Sequence, residues 1–139
     1  MINRGAEKAV YAILAANAAV TALVPADRIY PGGRLPQRPT FPAISYFRVD
    51  GPRVFSMEGP SGYAMPRIQV DIWGRDYAEA QNVGEKVRNA LSGFRGTIAG
   101  VTVQGIIDLD DHDVVDEDEE VLVTEQRHLS MDFRVHHNE

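Results

Sequence analysis

The stretch MPRIQVDIWGRDYAEAQ, residues 65–81, decides how the chain folds. Ile68, Val70 and Ile72 alternate with Arg67, Gln69 and Asp71, the period-two pattern of a strand with one buried face. The alternation predicts a strand from about 66 to 73. Gly74-Arg75 then turns the chain, Asp76 stands where a helix N-cap belongs, and Glu79 completes a capping box. Tyr77, Ala80, Val83, Gly84, Val87, Ala90 and Leu91 follow at helical spacing as one apolar stripe. Gly93 suits the left-handed residue that closes a helix. Asp76 and Glu79 are thereby assigned to the helix end rather than to catalysis.

Working outward, VTVQGIIDL (101–109) alternates again and predicts Val101, Val103, Ile107 and Leu109 on one face. HLSMDFRVH (128–136) places Leu129, Met131, Phe133 and Val135 opposite Ser130, Asp132, Arg134 and His136. AISYFRV (43–49) is a further strand, rich in aromatic and β-branched residues. Upstream, residues 4–24 read as helix, with Val10, Ile13, Leu14, Thr21 and Val24 inward, a cap at Asn17 before a short second turn, and a stop at Pro25. Pro31, Pro36, Pro39 and Pro42 make DRIYPGGRLPQRPTFP, residues 27–42, a surface loop. Asp50-Gly51-Pro52 is a turn, and 54–66 is expected to be a long hairpin loop or arm. These pieces predict one α+β domain over 1–139, a mainly antiparallel sheet with two helices packed on one face. The other face would carry Arg67, Gln69, Asp71, Thr102, Gln104, Asp132 and Arg134. It is expected either to be solvated or to meet another subunit or a channel.

The net charge of −6 conceals two parts. Residues 108–120, DLDDHDVVDEDEE, hold nine acids and no base; the remainder has 14 bases against 11 acids, a balance of +3. Twelve of the 14 bases are Arg, whose planar fork suits interfaces. No run of 18 apolar residues is present, so no membrane span is expected. Glu7 and Asn17 interrupt the apolar core that a secretory leader would need, and a helix is expected there instead. The absence of cysteine excludes disulfides, thiol catalysis and thiolate-held metals.

Catalytic patterns are missing. His112, His128, His136 and His137 lack HExxH spacing, Ser56 and Ser61 lack a nucleophile elbow, and neither GxGxxG nor a Walker loop occurs. No carboxylate pair is framed by apolar residues that would tune it for hydrolysis. His136-His137 lie near the chain end, where fraying is expected. Laid on a calcium-loop template, Asp108, Asp110, Asp116 and Glu119 fall on ligand positions. His112 and Asp113 break that template, the latter at the glycine position, so no metal ligand and no cofactor is assigned. A divalent-metal module or hydrolase built on the 108–120 carboxylates is the rival of another class. The acidic block also opposes tight binding of nucleic acid, and DNA would pass such a surface rather than adhere.

Taken in order, AAVTALVPADRIYP, PAISYFRVDG, PRIQVDIWGRDYAEAQNVGEKVRNAL, FRGTIAGVTVQGI and RHLSMDFRV resemble the tail-completion or tail-terminator proteins of long-tailed bacteriophages and prophages. The resemblance implies a non-enzymatic virion protein that forms a sixfold ring at the head-proximal end of the tail. Such a ring caps the tail tube, stops its polymerisation and gives the head connector a docking surface. It implies partners: further copies of the chain, the tube protein and the connector protein, with DNA passing through unbound. It places assembly in the bacterial host cytoplasm. Another small ring-forming neck, connector or tube protein is the alternative within that setting. On this reading the loops 31–42 and 51–63 are candidate arms. Arg34, Arg38, Arg53, Met57, Arg67, Gln69, Asp71, Asp108, Asp110, Asp111, Asp113 and Asp116 are candidate interface or lumen residues, with the acidic block on an exposed or lumen-facing rim.

Overall fold

The computed structural model describes residues 5–51, 53–57, 59–114 and 126–138. In chain order the elements are α1 (Gly5–Ala16), α2 (Ala18–Thr21), a 3-10 turn (Ala26–Arg28), β1 (Ile29–Pro31) and β2 (Ala43–Asp50). Then come β3 (Arg53–Ser56), β4 (Gly59–Ala64), β5 (Arg67–Gly74), α3 (Tyr77–Leu91), β6 (Gly96–Ile98), β7 (Val101–Asp113) and β8 (Gln126–Asn138). The expected α+β class holds, with an eight-stranded sheet in which, among the described residues, only the β1–β2 pair is parallel.

Strand β8 is the spine. Along one side it pairs with β5, and past Pro66 with β4; along the other it pairs with β7. Strand β2 extends the sheet beyond β5, and β1 lies outside it. β1 arises in the first residues of the proline-rich stretch expected to be loop throughout. There Ile29 is buried and pairs with Ile44. Residues 54–66 are more ordered than an arm, since β3 and β4 form a hairpin there.

The joint at 67–91 folds as its sequence predicts. Ile68, Val70 and Ile72 are fully buried. Asp76 accepts from Glu79 N at 2.8 Å, and Glu79 returns a bond to Arg75 N at 3.0 Å, one residue before the expected partner. Gly93 has φ +80 and donates to Ile106 O, tying the helix end to β7. At the other terminus, Asn17 Oδ1 accepts from Ala19 N and Val20 N, capping α2 as expected. Val20 takes the buried position, whereas the Thr21 hydroxyl turns back to Asn17 O. Helices α1 and α3 cover one sheet face, and Ala6, Ala9, Val10, Ile13, Leu14, Val83, Val87 and Leu91 join the strands in one core.

Two apolar assignments are corrected. Tyr77 is not part of the α3 stripe; it is half exposed, and its hydroxyl donates to Asp113 Oδ2 at 2.9 Å. Ile107 and Leu109 do not share a face with Val101 and Val103. The β7–β8 register shifts between Val103 and Gly105, Ile106 takes the buried side, and Ile107 and Leu109 emerge into solvent. Glycine within a strand marks such bulges, which add one residue and reverse the alternation beyond them.

Candidate interface surface

The second face of the sheet is not the uniformly solvated surface that alternation suggests. Ser45, Asp71, Ser130 and Asp132 are at most 4% exposed. Three longer side chains of β5 reach over them: Trp73 Nε1 donates to Ser45 Oγ at 2.8 Å, Gln69 Nε2 to Asp71 Oδ1 at 2.9 Å, and Arg67 to Asp132 Oδ2 at 2.9 Å. Cross-strand register explains the pattern, because Ser45, Asp71, Ser130 and His112 lie in one row and Phe47, Gln69, Asp132 and Asp110 in the next. Asp71, a candidate lumen residue, is therefore enclosed within the protomer. Gln69 and Arg67 stay partly exposed.

Next along the sheet, Arg67 and Arg134 are direct neighbours on β5 and β8, a like-charge pair held by flanking acids. Asp50 Oδ1 accepts from Arg134 Nη1 at 2.8 Å and from Arg67 N at 3.3 Å, and Arg134 also donates to Met65 O. The Arg67 guanidinium is held above its usual pKa chiefly by its hydrogen bond to Asp132, with the charges of Asp132, Asp50 and Asp110 adding. At the end of the row, His136 Nδ1 lies 2.9 Å from the Tyr63 hydroxyl. His137 is buried and part of β8, so the described histidine pair is built into the sheet rather than frayed.

The acidic block divides. Asp108 to Asp113 form the outer half of β7, while Asp116 and Glu119 lie outside the described residues. Asp108 pairs with Arg88 Nε of α3 at 2.8 Å, and Asp113 accepts from Tyr77 and Gln81 of the same helix. These contacts fasten the outer half of β7 to α3 and place Asp108 and Asp113 in structural roles. Asp110 and Asp111 are exposed. The split between Asp108 and Asp110 follows from a second register shift there. Asp110, His112 and Asp132 can bring one ligand atom each within 4.8 Å of the others, a grouping the calcium template did not contain.

The candidate arms are on the surface. Arg34 and Arg38 are exposed in 31–42, and Met57 is fully exposed at the tip of the β3–β4 hairpin. Arg53 belongs to β3, and its side chain lies outside the description. Sequence reasoning misses Ile107 and Leu109, about half exposed on a strand whose outer edge beyond Val103 has no strand partner among the described residues, Ile106 O accepting there from Gly93 N. The one available signal was Gly105 in the middle of an alternating run.

Comparison with known proteins follows this geometry. Residues 8–137 match the family described as Tail completion protein gp17. Among solved structures, a chain described under "Virion of native gene transfer agent (GTA) particle" is similar, with a TM-score of 0.73 and 20% identity, over 94% of this chain and 92% of that one. At that identity the likeness is one of fold. No curated protein sequence matches.

Proposed function

Because the chain belongs to the tail completion protein gp17 family, and so is a phage tail structural protein, we propose that it closes the head-proximal end of the tail tube in a virion. In this role it forms a ring, six copies being the expected number, that arrests tube polymerisation and presents the surface on which the head connector docks. It works without catalysis, and DNA passes through it without specific binding. The observation that carries the reading is the family match, which spans almost the whole chain and so includes every element of the sheet.

The geometry supports a ring-forming unit in two ways. The outer edge of β7 beyond Ile106, whose carbonyl accepts from Gly93 N, has no strand partner among the described residues, while the exposed Asp110 and Asp111 guard that edge against indiscriminate association. Exposed Ile107 and Leu109 on the same strand, and Met57 on the hairpin, supply apolar contacts for a neighbour. Repeating one edge-to-surface contact around an axis closes a ring, which is how heterologous interfaces generate finite assemblies.

Tail length measured by electron microscopy tests the proposal. Tube protein polymerised in the presence of the purified chain should give tails of arrested length with the chain at one end; unaltered growth would overturn it. Deletion of residues 51–63 should abolish joining of heads to tails while leaving the rest of the chain folded, as read by a cooperative thermal unfolding transition. Normal joining by that deletion would remove the hairpin from the interface.

A further inference from the structure

On the polar face of the β7–β8 pair, four side chains form a two-by-two patch. Asp110 and His112 of β7 stand directly across from Asp132 and Ser130 of β8. Residues i and i+2 of a strand share a face, and register adds the residues opposite, so the backbone alone delivers this grouping. One ligand atom each from Asp110, His112 and Asp132 falls within 4.8 Å of the others, and His112 Nδ1 lies 3.6 Å from Asp110 Oδ2. That separation is long for a hydrogen bond. It is close to the roughly 3.4 Å between two ligand atoms bound tetrahedrally to one ion at about 2.1 Å.

Two buried polar atoms beside this grouping have no hydrogen-bond partner. Asp132 is 4% exposed, and while Oδ2 is taken by Arg67, Oδ1 has no hydrogen-bond partner. Ser130 is 1% exposed, and its Oγ has none either. Buried acceptors left unpaired are costly, and the carboxylates of Asp110 and Asp132 occupy directly opposed positions, where like charges repel. Arg67 offsets this from one side only.

We propose that Asp110, His112 and Asp132 bind a divalent transition-metal ion of the zinc or manganese type, with the Ser130 hydroxyl at its flank. An imidazole among carboxylates favours such ions over calcium or magnesium, which take all-oxygen shells. His112 and Asp110 are more than half exposed, so the ion enters from solvent, and three protein donors leave a coordination position for water or a group from a second molecule. The ion would tie the outer half of β7 to the spine strand.

The test is calorimetric titration of the tag-free full chain with zinc chloride, and separately with calcium chloride. Wild type should take up one zinc per chain and bind calcium far more weakly. His112→Ala, at an exposed position that leaves the fold intact, should weaken zinc by more than the roughly tenfold expected for Ser130→Ala at the flank. The double substitution Asp116→Asn, Asp118→Asn should leave zinc affinity unchanged. Cobalt chloride gives a second readout, a visible absorption band present in wild type and absent in His112→Ala. Lack of stoichiometric zinc uptake overturns the proposal. So does wild-type affinity in His112→Ala, which would place the ion elsewhere.

Discussion

Phe133 and Asp132 are adjacent on β8, 0% and 4% exposed, and point to opposite sides of the sheet. On the Phe133 side, Leu129, Met131 and Val135 meet α1 and α3, and burial is achieved by apolar contact. On the Asp132 side, Ser45, Asp71 and Ser130 are as deeply buried, under a canopy of Trp73, Gln69 and Arg67. Depth is therefore the same and its source differs. The helical side is stabilised by area removed from water, whereas the polar side must satisfy each group individually. The second face is thus specified for geometry, leaving partly exposed guanidinium and amide groups for contact with other molecules.

Substitution on the helical side should have the largest effect. Phe133→Ala should lose about 3–5 kcal/mol of unfolding free energy, read by urea denaturation, because it empties the centre of the core. Asp132→Asn, its neighbour, should lose only about 1–2 kcal/mol, since Arg67 is about one-third exposed and water can solvate the released charge. Equal losses at the two positions would erase the distinction between the faces. A third substitution sharpens it from the helix. A methyl group at Gly84 would run into Leu129 Cδ2, with Met131 Sδ 3.8 Å away, so the largely buried Leu129 must shift to admit it. Gly84→Ala should therefore cost about 1 kcal/mol net, overpacking outweighing the gain in helix propensity. Stabilisation by Gly84→Ala would show that the helix-to-sheet spacing is looser than the contact implies.

The helical side was legible in the sequence and the polar side was not. Ile68, Val70, Ile72 and the α3 stripe announce themselves by period, and Asp76, Asn17 and Gly93 mark helix ends through local hydrogen-bonding chemistry. Burial of Ser130 and Asp71 depends instead on four strands arriving in one register, information spread over residues 43 to 132. Alternation alone puts Ile107 and Leu109 on the wrong face because a single glycine shifts everything after it. Helical spacing alone misplaces Tyr77 because an amphipathic ring at a stripe edge can turn outward once an acceptor such as Asp113 is near. The Asp110–His112–Asp132 grouping was invisible for the same reason as the buried serines: Asp132 is distant in the chain and adjacent only through pairing.

The smallest expected effect lies at the far end of the polar side, where β4 joins β8. His136 is pushed below its ordinary pKa of 6.5, first by burial and then by the positive charge of Arg134. The folded state thus favours the neutral ring, which can accept from the Tyr63 hydroxyl 2.9 Å away. A group whose folded pKa is lowered contributes stability that is fully present above its unfolded pKa and is lost as pH falls through the folded one. Between about pH 7.5 and 5.5, then, the wild-type chain should lose stability more steeply than His136→Gln, which keeps a polar side chain and cannot titrate. Carboxylates protonate in both proteins at lower pH, so only the difference between the two curves reports the ring. Parallel curves would mean that the β4–β8 join tolerates the imidazolium. The polar side would then be less exacting at its rim than at its buried centre, where Asp132 has no comparable access to water.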